Sequence, residues 1–120
     1  MKFVCFECGY NLPLDLPEVS VVPDLHAHGT HKTGVIQLMQ YDDKSGFDRS
    51  ILLHEIVHYV QYFNGVSEPR EDQLDYKEIE ALRLQDMYLR GRGLLLQDFT
   101  SVSAMKKMTK DSNFTWENWK

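Results

Sequence analysis

A histidine, a glutamate and a second histidine stand at His54, Glu55 and His58, in the order H-E-x-x-H, inside the apolar run from Ile51 to Gln61. On an α-helix, residues four apart lie one above the other, so two imidazoles can reach one point while Glu55 sits one position round. A fold built on this chain therefore has to bring that helix partly inside and set another ligand against it. Neutral imidazole is a good zinc ligand, and a carboxylate near the metal's open side can take a proton from an attacking water. Residue types and spacing together point to hydrolytic zinc chemistry with a single Zn²⁺ ion.

Two histidines alone hold zinc loosely, so the motif requires a further ligand. One known pattern places glycine three and histidine six residues past the second histidine. Here those positions are Gln61 and Asn64. A glutamate from a following antiparallel helix is the remaining common solution, and Glu78 and Glu80 both lie in the stretch from Tyr76 to Gln85. Ala81, beside Glu80, lets two helices approach closely enough for a carboxylate to reach the metal, which selects Glu80. Glu78 is the fallback, because the choice turns on helix phase.

The 120 residues, 42% of them hydrophobic, suit one domain with one core. A net charge of -5 argues against a nucleic-acid surface, which needs clustered Lys and Arg. No apolar run approaches the length of a membrane span, and Glu7 interrupts the first apolar residues too early for a signal peptide. The chain reads as unexported and provisionally cytoplasmic. Cys5 and Cys8 form one Cys-x-x-Cys-Gly knuckle, half of a structural zinc site. They are expected instead one turn apart on a short helix that stops at Gly9, with both thiols free.

Pro13, Pro17 and Pro23 punctuate a strand candidate at Glu18 to Val22. Asp24 to Thr33 reads as a polar link with a turn at Gly29, and Gly34 to Tyr41 as a strand. Asp48 is placed to cap a helix over Arg49 to Phe63, closed by Asn64 and Gly65. A second helix is expected over Glu71 to Arg90, ended by Gly91 and Gly93. Leu94 to Lys110 is expected to be helical in part. The segment 110–120 carries Trp116 and Trp119 in a polar tail, which predicts docking onto the body of the protein. Covering the cleft, or self-association through those tryptophans, is the alternative. His26, His28 and His31 read as solvated loop histidines, with one of them a candidate to approach the zinc as a donor.

Three stretches carry a family resemblance: Leu16 to Val19, Asp48 to Gln61 around the His54-Glu55-x-x-His58 core, and Glu80 to Gln85. They resemble the gluzincin branch of zinc metallopeptidases, and more closely a group of small bacterial and phage metallopeptidases without assigned substrates. The resemblance spans roughly Leu16 to Leu89. It implies His54, His58 and Glu80 as zinc ligands, Glu55 as the catalytic carboxylate, and Gly34 to Tyr41 as the edge strand along which an extended peptide lies. Larger gluzincins carry an acid one turn after the glutamate ligand to orient a zinc histidine, and here that position is Leu84. Gln85 or Asp86 is the candidate substitute. They also take an oxyanion donor from a second lobe; this chain offers Tyr76, one turn before Glu80, although a tyrosine there also suits core packing.

The expected architecture is α+β: a short sheet packed on the H-E-x-x-H helix and an antiparallel helix bearing the glutamate ligand, in one zincin-like domain over 1–120. The expected function is hydrolysis of peptide bonds in a peptide or protein substrate, with Glu55 as general base toward a water activated at the metal. The competing expectation is a zinc-binding interaction or regulatory module with the same frame and little or no turnover.

Overall fold

The computed structural model describes residues 1–119. In chain order its elements are α1 (Lys2–Cys8), β1 (Glu18–Val21), β2 (Gly29–Lys32), β3 (Val35–Leu38), α2 (Gly46–Phe63), α3 (Tyr76–Arg90) and α4 (Val102–Thr109), with single 3-10 turns at Leu96–Asp98 and Trp116–Asn118. The domain is α+β, four helices with a small mixed sheet.

The sheet order is β1-β3-β2, with β1 parallel and β2 antiparallel to β3. This corrects the expectation that the strand after Gly34 lies at an edge: β3 is central, and its Ile36 and Leu38 are buried beneath α2. The stretch read as a polar link instead contains β2. Gly29 opens that strand rather than making a turn, and the turn falls at Thr33 and Gly34, with φ of 49° and 87°. Two consecutive residues at positive φ form the tight hairpin connection whose twist matches its strands, and glycine supplies the second at no steric cost.

Helix α2 starts earlier than expected because Ser45, not Asp48, is its cap: the Ser45 hydroxyl accepts from the Asp48 N–H at 3.1 Å. The buried Asp48 carboxylate turns back to accept from the Asp42 N–H at 2.9 Å and fixes the entering loop. Helix α3 starts later, where the Asp75 side chain accepts from the Glu78 N–H at 3.1 Å. That cap places Glu78 in the first turn. Gly65 takes the left-handed conformation after α2, φ 68°. At the N-terminus α1 ends on Gly9, also left-handed, and Cys5 and Cys8 are free thiols.

Two apolar clusters hold the elements together. One gathers Val4, Ile36, Leu38, Val57, Val60 and Ala81 between the sheet, α1, α2 and α3. The other joins Leu82 and Leu89 of α3 to Leu96, Met105, Phe114 and Trp119. Trp119 is buried in it, with its indole N–H donating to Asp86 Oδ2 at 3.2 Å and the Arg83 guanidinium 4.5 Å above the ring. Among the described residues, no helix is long and apolar enough to cross a membrane.

Candidate metal centre

Helix α2 carries His54 and His58 on one face, four residues apart, with ring centroids 4.9 Å from each other and Nε2 atoms separated by 3.2 Å. The carboxylate that meets them is Glu78. Its Oε1 lies 2.6 Å from His54 Nε2 and its Oε2 lies 3.1 Å from His58 Nε2. Among the described residues, this is the only group of three or more His, Cys, Asp or Glu side chains placed to hold a metal ion.

Glu80 is elsewhere, which corrects the ligand set expected from the sequence. Its Oε1 accepts from the Tyr10 hydroxyl at 2.7 Å and from Gln61 Nε2 at 3.0 Å. The small Ala81 does let α2 and α3 approach, and both Ala81 and Gln61 are fully buried on the line of contact. Residues 78 and 80 are about 200° apart around a helix and so flank that line on opposite sides. Glu78 falls on the flank where the histidines are. Gln85, seven residues on, shares its stripe.

Two glutamines decide what the rings can do. His54 Nδ1 is 2.9 Å from Gln85 Oε1, and His58 Nδ1 is 2.8 Å from Gln61 Oε1. The Gln85 amide is oriented by its other end: Nε2 donates to Ser50 Oγ at 3.2 Å, and the Ser50 hydroxyl donates onward to the Phe47 carbonyl at 2.6 Å. Gln61 Nε2 faces two pure acceptors, the Lys77 carbonyl at 3.0 Å and Glu80 Oε1. Each glutamine therefore presents its oxygen to a histidine and makes Nδ1 the protonated nitrogen. Both Nε2 lone pairs are left pointing at each other and at Glu78.

Three acceptors aimed at one point need a cation or a proton between them. Zinc bonded to nitrogen and oxygen at about 2.1 Å in tetrahedral geometry sets its ligand atoms about 3.4 Å apart. The 3.2 Å between the two Nε2 atoms and the 3.1 Å from Glu78 Oε2 to His58 lie within about 0.3 Å of that figure, and the 2.6 Å contact of Glu78 Oε1 with His54 has to open by roughly 0.8 Å. The residues suit zinc in kind as well as spacing. In the metal-free protein a proton does the same work: burial opposes charge on His54, but the Glu78 carboxylate holds its pKa above the usual histidine value. Burial would raise Glu78, yet its bonds to the two histidines keep it well below the usual carboxylate range.

Glu55 stands beside this group, only 6% exposed, and its carboxylate borders the cleft with no hydrogen bond to a described residue. Burial raises its pKa, His54 and His58 pull it down, and Glu78 pushes it up, for a net rise. A carboxylate whose basicity is raised in this way is a better proton acceptor than one in water. Strand β2 lies directly over it: a Cβ on Gly29 would stand 3.1 Å from Glu55 Cγ and 3.0 Å from Ile51 Cγ2. Any side chain there would have to push these neighbours back by a few tenths of an ångström.

The group opens into a cleft of about 550 Å³ bordered by β2, Tyr62, Lys77 and Met108. An apolar side chamber of about 220 Å³, walled by Phe47, Ile51, Leu82, Leu96 and Phe99, adjoins it at Gly29, His54 and Glu55. Tyr76 does not border the cleft. It is exposed, and its hydroxyl donates to the Ser67 carbonyl at 2.5 Å, so the oxyanion donor expected there is not brought in. Of the three loop histidines, His28 packs edge-on against Phe47, while His31, in β2, lies against Tyr59 and Tyr62 and borders the cleft. His31 Nε2 accepts from the Gly34 N–H at 3.0 Å, and burial, His58 and Lys77 all lower its pKa. It is a neutral ring with its proton on Nδ1. Gln61 escaped the sequence reading because its value lies in its far end, whose partners come from α3.

No family model, no curated protein and no solved structure matches the chain.

Proposed function

We propose that the protein is a zinc-dependent peptidase of zincin type, with one ion held by His54, His58 and Glu78 and with Glu55 as its general base. The observation that carries this reading is the pair of oriented glutamines, which leave two imidazole lone pairs and a carboxylate converging beside an unpartnered, nearly buried Glu55. Zinc held there supplies Lewis acidity, which polarises a peptide carbonyl and makes water a better nucleophile. Glu55 takes the proton from the attacking water and returns it to the departing amine.

Substrate is positioned by β2 rather than by the strand that follows Gly34. The hairpin at Thr33 and Gly34 and the bond from the Met39 N–H to the His28 carbonyl, 3.0 Å, set the pairing of β2 with β3 at Thr30 and Lys32. Gly29 and His31 therefore turn their N–H and C=O groups to the free edge. An extended peptide adds there as a further strand, beside Glu55, and one of its apolar side chains enters the chamber behind Ile51. The second reading, a zinc-binding module without turnover, is favoured by the neutral glutamines, which raise histidine basicity less than carboxylates do. Casein or a peptide library incubated with the zinc-loaded protein, with and without chelator, tests the two: chelator-sensitive cleavage supports the peptidase, and zinc binding without cleavage supports the module.

A further inference from the structure

We infer that the N-terminal segment is part of the metal centre, with Tyr10, through Glu80 and Gln61, holding His58 in its ligating tautomer. The inference rests on the metal reading above. The Tyr10 hydroxyl donates to Glu80 Oε1 at 2.7 Å, the same oxygen takes Gln61 Nε2 at 3.0 Å, and Gln61 Oε1 faces His58 Nδ1 at 2.8 Å. Every direction in this chain is forced: an ionised carboxylate only accepts, so the phenol and the amide nitrogen must both donate to it, which leaves the amide oxygen for the ring.

A separate set of bonds fixes the segment that delivers Tyr10. The Asn11 N–H donates to Asn64 Oδ1 at 2.9 Å, and Asn64 Nδ2 donates to the Asn11 carbonyl at 3.0 Å. Asn64 is the C-cap of α2, the helix that bears both histidines. Further along, the Tyr59 hydroxyl donates to the Asp15 carbonyl at 2.8 Å. The segment is thus strapped across the end of α2, and its one hydroxyl in the relay points at Glu80. Removing that hydroxyl takes from Glu80 the donor that shares Oε1 with Gln61 Nε2, and leaves the Cys8 thiol as its remaining partner from the N-terminal segment. Tyr10 and Glu80 are positioning residues for a ligand neither touches.

The test is the zinc dissociation constant of the full chain, by competition with a chromophoric chelator, in a double-mutant cycle of Tyr10→Phe and Gln61→Met. Loss of a group that orients a metal ligand weakens binding about 10–100-fold, so Gln61→Met should fall in that range and Tyr10→Phe, one step further out, at about three- to tenfold. In the Gln61→Met background Tyr10→Phe should cost nothing more, because the relay is already cut. Glu80→Gln should weaken binding in the wild-type background and likewise add nothing to Gln61→Met. Unchanged affinity in both Tyr10→Phe and Glu80→Gln overturns the inference, as does an equal loss in both backgrounds, which marks general loosening. A wild-type chain that takes no zinc defeats the metal reading itself; zinc binding indifferent to Tyr10 and Glu80 defeats the relay alone.

Discussion

His54 Nδ1 and Gln85 Oε1 lie 2.9 Å apart across the α2–α3 contact, and that bond frees the other nitrogen of the ring for a metal. Gln85→Met keeps the volume and removes the acceptor, so the ring no longer has one enforced tautomer. Zinc affinity should fall about 10–100-fold. Ser50→Ala, which releases only the far end of the amide, should give a smaller loss of the same kind, measured by the same chelator competition.

In the proposed peptidase Glu55 has a different job, and its variant should separate binding from turnover. Glu55→Gln retains shape but cannot take a proton. Zinc stoichiometry by elemental analysis should stay at wild-type level while peptide hydrolysis falls at least about 100-fold, the lower end for loss of a general base. A variant that still hydrolysed peptide at the wild-type rate would remove Glu55 from the chemistry.

Gly29 is where β2 touches Glu55, and a side chain there would press on the site. Gly29→Ala places a methyl 3.1 Å from Glu55 Cγ and 3.1 Å from Leu38 Cδ2. Those side chains must give by a few tenths of an ångström, and overpacking that they do not relieve costs about 1–3 kcal/mol. Chemical denaturation should show that loss, and hydrolysis should drop by more than zinc affinity does, because the ligands are on other residues.

The metal-free protein should respond to pH in a way that zinc reverses. Glu78, lowered from 4.5 by its histidine bonds, contributes stability that is present above pH 4.5 and lost as pH falls through its folded value. His54, raised from 6.5 by Glu78 against the effect of burial, contributes stability that is present below pH 6.5 and lost as pH rises through its folded value. Glu55, raised mainly by burial, costs stability as pH rises from 4.5 through its folded value, which tilts the maximum toward the acid end of the window between the other two. Thermal melts in chelator should peak between about pH 4.5 and 6.5 and decline above. With zinc the alkaline decline should shrink or invert, since deprotonated imidazole is the form that binds.

The sequence made α2 legible because H-E-x-x-H fixes residue type and spacing within one element, where periodicity alone places every side chain. The short helix ending at Gly9 was legible for the same local reason. Glu78 was harder. Choosing it over Glu80 required the phase of α3, and that phase is set by contacts such as Gln61 with the Lys77 carbonyl, which no local pattern encodes. Strand β2 was hidden because Gly29-Thr-His-Lys32 has one β-branched residue and a glycine chosen for close approach to Glu55, not for strand propensity. The central place of β3 follows from the pairing of β1 and β2 on either side of it, a long-range outcome.

Titration of zinc into the chelator-stripped protein by calorimetry, for the wild type, Glu78→Ala and Glu80→Gln, tests the metal centre most directly. The wild type should bind one ion per chain, Glu78→Ala should lose that binding, and Glu80→Gln should keep one ion at weaker affinity. A wild type that binds no zinc, or a Glu78→Ala chain that binds it as tightly as the wild type, would contradict the account.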